Sequence, residues 1–201
     1  MSVNFANNNS LSAITALPTA VSGGALNLIS TSTASSSATI DFTSGIDSTY
    51  KEYIFKFINM HPATNNVKWT FQSDTGTNTS YGQTITSTDF ISQHSESGSA
   101  SEHGYASAND QEQGTAFQPI GQLVGNGSDE SVSGTLHIFD PSNTTFVKHF
   151  ISRHITEGPT EQMGDAFISG YCNTTTAIDA VQFKMSSGNI DAGTITLYGI
   201  N

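Results

Sequence analysis

The chain has 201 residues and a net charge of −11, from 17 acidic side chains against only six Lys or Arg. Nucleic acid and anionic membrane surfaces are bound through basic residues that displace counterions, so this balance argues against both. Charged residues make up 11% and hydrophobic residues 35%, both low for a soluble enzyme, and Ser, Thr, Asn and Gly fill the difference.

This composition suits β-sheets with polar, uncharged outer faces. The single cysteine, Cys172, excludes an intramolecular disulfide framework and reads as a small buried hydrophobe in a strand. The start of the chain lacks a basic region followed by an apolar run, and no stretch reaches membrane-spanning length. The expectation is a protein made in a cytoplasm and not secreted.

Residues 1–25 read as an N-terminal arm, and 26–201 as one β domain. In the arm, Leu11, Ile14 and Leu17 are spaced three apart, which permits a short helical turn that Pro18 stops. These three are candidate anchor residues that dock on a neighbour. Gly23-Gly24 is a hinge or turn. Leu26 to Thr33 and Thr39 to Thr43 read as strands, the second with Ile40 and Phe42 on one face.

The strongest signal is Tyr50 to Met60. With Lys56 facing water, the period of two places Tyr53, Phe55 and Phe57 together on the opposite face. Val67, Trp69 and Phe71 then alternate with Lys68, Thr70 and Gln72, which predicts a half-buried strand. Tyr81 to Ile91 is a Thr-rich strand.

Residues 92–114 contain almost no apolar side chains between Gln93 and His103, which predicts a long exposed loop. His94, Glu96, Glu102 and His103 lie in it and are its candidate binding residues. Their spacing matches no compact zinc motif, so no metal and no cofactor is expected.

Phe117 to Val124 reads as a strand whose Pro119 suits a sheet edge. Val132, Gly134, Leu136 and Ile138 alternate with polar neighbours, and Asp140-Pro141-Ser142-Asn143 is a turn. Phe146 to Ile155 is apolar on both sides. Val147, Ile151 and Ile155 share one face with His149 and Arg153, and Phe146 and Phe150 share the other. Burial on two faces by a second subunit is the expectation, so Val147, His149, Ile151 and Arg153 are candidate interface residues. Ala166 to Cys172, Ala177 to Met185 and Gly193 to Ile200 complete the set.

That gives about ten short strands separated by turns and no strong amphipathic helix, the pattern of an antiparallel sandwich. A jelly-roll-like arrangement is expected. Catalysis has little support. There is no G-x-S-x-G elbow and no phosphate-cradling Gly loop, and Asp129, Glu130 and Asp140 are explained by turns. The expectation is that the chain is not an enzyme.

Several segments together resemble structural proteins of tailed, mainly marine, bacteriophages. They include Ile40-Asp41-Phe42-Thr43-Ser44-Gly45, Phe57-Ile58-Asn59-Met60-His61-Pro62 and Phe139-Asp140-Pro141-Ser142. The ending Phe183-Lys184-Met185-Ser186-Ser187-Gly188-Asn189-Ile190-Asp191-Ala192-Gly193-Thr194-Ile195 is the most distinctive. The resemblance covers roughly residues 26 to 200 apart from 92–114, and its motifs are structural and not catalytic. It implies a virion component. One form is a capsid decoration or cement protein, a homotrimer bound to the major capsid protein through the arm and the sandwich. The other is a tail protein or receptor-binding module that presents loops to a host glycan.

Overall fold

Alternating apolar side chains along the strands force two sheets to close over one another. The computed structural model describes residues 25–76, 80–99 and 101–200. Leu11, Ile14 and Leu17 lie outside the described residues.

Among the described residues thirteen strands run in this order: β1 Leu26–Thr33, β2 Ile40–Phe42, β3 Glu52–Pro62, β4 Val67–Asp74, β5 Ile85–Ser95, β6 Ser101–Tyr105, β7 Glu112–Gly114, β8 Gln118–Val124, β9 Val132–Phe139, β10 Lys148–Gly158, β11 Gln162–Cys172, β12 Ala180–Met185 and β13 Ile190–Ile200. The large sheet has the order β1-β13-β3-β9-β10-β11-β5-β6, with β7 also on β5, and the small sheet has the order β2-β12-β4-β8. Every pairing is antiparallel. The protein is an all-β sandwich of unequal sheets.

The core lies between them. Tyr53, Phe55 and Phe57 of β3 are fully buried, as their alternation with Lys56 requires. They meet Trp69 and Phe71 of β4 and Phe183 of β12 from the small sheet. Phe183 is central. It stacks on Trp69 with ring centroids 5.5 Å apart and planes 9° from parallel, and it meets the edge of Phe55 at 5.3 Å. β3 bulges after Phe57, where Asn59 adopts φ +50°. Gly193 opposite has φ +117°, and a Cβ there would come within 2.6 Å of the Asn59 carbonyl.

β4 is buried on both faces, not half-buried. Its polar side chains are covered by later segments of the chain. The Gln72 amide donates to the carbonyls of Gln83, Thr115 and Ala116 at 3.0, 3.2 and 3.0 Å. The Thr70 hydroxyl donates to the Lys184 carbonyl at 2.8 Å. Polar residues at alternate positions marked a face that is closed by hydrogen bonds rather than by water.

The expected long loop at 92–114 is a correction. β5 continues to Ser95, the chain turns, and β6 returns along it with Phe90 against Tyr105 and Ser92 against His103. A three-residue 3₁₀ turn and β7 follow. An edge strand needs only one backbone ladder and no apolar face, so polar composition does not prevent it. These two strands raise the count above the expected ten. β8 is the edge of the small sheet, as Pro119 suggested.

Candidate functional site

The outer face of the large sheet concentrates the chain's exposed apolar side chains. Among the described residues eleven large hydrophobics are exposed. Nine of them point outward from this sheet: Leu26 and Leu28 on β1, Ile58 on β3, Ile151 and Ile155 on β10, Met163 and Phe167 on β11, Phe90 on β5 and Tyr105 on β6. Single exposed hydrophobics are ordinary on a soluble surface, but a contiguous set on one sheet face marks an interaction site.

Strand register arranges part of this face into a straight row. Tyr105 lies opposite Phe90, Phe90 opposite Phe167, Phe167 opposite Arg153, Arg153 opposite Thr135, and Thr135 opposite Lys56. The row crosses six strands. One half is aromatic and the other carries the cations. The rings of Phe90 and Tyr105 are 5.4 Å apart. Tyr105, Phe90 and Phe167 remain 54%, 51% and 52% exposed. The Arg153 guanidinium sits 4.5 Å above the Phe167 ring and is held by Asp165 through bonds of 3.1 and 2.9 Å. Lys56 makes no ion pair among the described residues. A groove of ≈ 430 Å³ lies along the row, lined by Phe90, Phe167, Arg153, Thr135, Ile151 and His137.

Charge is sparse on this face. Across β3, β9, β10, β11, β5 and β6, the outward side chains are Lys56 and Arg153 against Glu52, Asp165 and Glu157. Two cations against three anions leave −1, while the chain as a whole carries −11. Histidines fill in. His137 Nδ1 meets Glu52 Oε1 at 2.6 Å, and His103 Nδ1 meets the Ser92 hydroxyl at 2.9 Å. Tyr105 donates its hydroxyl to Asp110, which pushes its pKa up.

The structure brings the strand candidates together here. His149, Ile151 and Arg153 are exposed on the outer face of β10, and Val147 is half-buried just before the strand begins. Phe150 points the other way, into the core. The His149 ring faces Tyr171 on β11 at 6.3 Å.

The loop candidates are split. His94 and His103 project from neighbouring strands on the outer face, while Glu96 lies in the turn and Glu102 sits in register with the inward Gln93. Among the described residues no group of three His, Cys, Asp or Glu side chains is placed to hold a metal ion. Phe90, Phe167 and Tyr105 were not singled out from sequence. The signal was present in Phe90-Ile91 and Phe167-Ile168, adjacent apolar pairs inside strands that must feed both faces.

A second polar cluster lies inside the sandwich. Asp89, on the inner side of β5, accepts hydrogen bonds from the Asn109 amide at 3.0 Å and from the Gln122 amide. Burial pushes its pKa up to about 6. His154, on the inner side of β10, is pushed down to about 4 by burial. Gln118 extends the cluster, accepting from the Ser87 hydroxyl at 2.7 Å and donating to the Asn109 carbonyl at 3.1 Å. The hydrogen-bond partners of Asp89 are amides, with neither a nucleophile nor a second carboxylate among them. The arrangement ties β5 to β8 and to the 3₁₀ turn. Cys172 is buried with its Sγ 3.4 Å from the Ser73 hydroxyl, and burial raises its pKa to about 11.

No family model, curated protein or solved structure matches the chain.

Proposed function

We propose that this chain is a bacteriophage virion structural protein. Its role is capsid decoration, with attachment to the shell through residues 1–25 and the sandwich. The observation that carries this reading is the outer face of the large sheet, a broad surface of nearly balanced charge from which nine large apolar side chains project. A surface of that kind is built to be covered by protein, because exposed aliphatic side chains gain nothing from water and are removed from it on assembly. The resemblance of residues 26 to 200, apart from 92–114, to phage structural proteins supplies the setting.

Deleting residues 1–25 tests the attachment. The truncated chain should fold and should lose its place on particles. Full occupancy by the truncated chain would contradict the anchor.

One observation favours a second reading, a tail-borne receptor-binding module. Tyr105, Phe90 and Phe167 form an exposed aromatic row beside Ser92, His103 and Asp165, and aromatic faces flanked by polar groups suit a host glycan. The aliphatic Ile151 and Ile155 weigh against it, because they offer no ring on which a sugar can stack. Binding of capsule or lipopolysaccharide oligosaccharides by the isolated chain would favour this reading over decoration.

A further inference from the structure

We infer that a second copy of this chain docks on the outer face of the large sheet, face to face, about a two-fold axis running along the strands between β10 and β11. This rests on the assembly reading above and names what covers the face.

Three features of the face support a second copy. The first is size. With strands about 4.8 Å apart and a rise of about 3.3 Å per residue, six strands and eight residues span about 29 by 26 Å. That is about 750 Å², close to the roughly 800 Å² that each partner buries in a standard interface. The second is charge. Two copies at −11 repel across most of their surfaces, but this face carries only −1 of that total, so it is where like copies approach at least cost.

The third is the polarity of the row. A two-fold axis between Phe167 and Arg153 reverses the order of strands in the facing copy. Phe167 then meets the other copy's arginine, Phe90 meets its threonine at 135, and Tyr105 meets its lysine at 56. Each contact occurs twice, as an isologous interface requires. Arg and Lys over aromatic faces gain cation–π attraction that grows as water is excluded. The aromatic half of the row therefore complements the cationic half, and only a partner with the same row reversed offers both halves at once. A trimer, which the sequence resemblance implies, does not superpose the row on its own reverse.

The test is the mass of the full chain in solution together with a cross-link. Sedimentation equilibrium should give twice the 21.2 kDa chain mass. Phe167→Glu, at a half-exposed position, should leave the fold intact and weaken association by at least about tenfold, as removal of a central aromatic anchor does. The double variant Lys56→Cys with Tyr105→Cys should be joined by a short bis-maleimide that spans the ~10 Å between facing sheets. Within one chain those positions are five strand spacings apart, about 24 Å, so a bridge of that length between them joins two chains. Lys184→Cys on the small sheet is the control and should stay uncross-linked.

A monomer at every concentration would overturn the inference. So would a three-chain mass, or a 56–105 cross-link no faster than the control. A monomer that captures an oligosaccharide through Phe167 would overturn it as well and would place a glycan on the face. A monomer that still labels virions would sink the pairing and leave the virion assignment standing, whereas a stable pair absent from virions would do the reverse.

Discussion

Arg153 lies directly over Phe167, its guanidinium carbon 4.5 Å from the ring centroid, while Asp165 on the same strand as the ring grips it from the side. The two residues face each other across the β10–β11 ladder. The contact fixes a flexible cation at the centre of the row. It leaves one aromatic edge and one charged edge available to a partner.

Because the Arg153 side chain is more than half exposed, its contribution to folding is small. Arg153→Ala should leave the denaturant unfolding midpoint almost unchanged, as loss of an exposed ion pair does. A large fall in the midpoint would mean that this row belongs to the core rather than to the surface.

The opposite holds for the ring that joins the sheets. Trp69 is fully buried, stacked on Phe183 of its own sheet and 6.0 Å from the Phe57 ring of the large sheet. Trp69→Ala should cost about 3–5 kcal/mol, through lost burial and the cavity left behind. Thermal and denaturant unfolding both read this. A change below about 1 kcal/mol would contradict the packing described for the core.

Gly134 shows how tightly the large sheet is built. A Cβ at this position would lie 2.3 Å from the Arg153 carbonyl oxygen and 2.8 Å from the His154 Cα. Neither atom belongs to a side chain that can swing away. Gly134→Ala should therefore destabilise by about 1–3 kcal/mol, where the same change at the open Gly164 should be nearly neutral. Equal effects at the two sites would contradict the account.

Two separate buried titrating groups make a pH prediction. Burial raises Asp89 from 3.8 to about 6, so the folded chain holds that proton more tightly than the unfolded chain. Its contribution to stability is full below about 4 and is lost as pH rises through 6. Burial lowers His154 from 6.5 to about 4, so its contribution is full above 6.5 and is lost as pH falls through 4. The two oppose each other over the same window and nearly cancel. Relative to wild type, Asp89→Asn should lose stability on acidification from pH 6.5 to 4, and His154→Gln should gain it. Two variants that track the wild-type profile would show that neither group is perturbed.

Much of the sandwich was legible in the sequence. Tyr53, Phe55 and Phe57 share one face by the period of two, and Lys56 between them marks the other face as the one turned to water. Pro119 marked an edge because it cannot donate to a central ladder. The 92–114 segment was misread because an edge strand such as β6 is held by backbone hydrogen bonds, which leave no apolar period to detect. Thr70 and Gln72 misled for a related reason, since their partners are carbonyls from residues that are distant in sequence.

The candidate face was half legible. Ile151 beside Phe150 announced a strand apolar on both sides, and His149 and Arg153 were correctly placed with Ile151. The row was not, because it depends on which strands are neighbours. Phe90, Phe167, Arg153 and Lys56 come from four separate stretches, and only the register brings them into line.

The most direct measurement is to label purified virions of the encoding phage with tagged full chain, wild type and Phe167→Glu, and to image them by electron microscopy. The account predicts wild-type label spread regularly over the head, with the Phe167→Glu label thinned or absent although that variant is folded. Label confined to the tail, or absent from particles altogether, would contradict the decoration reading.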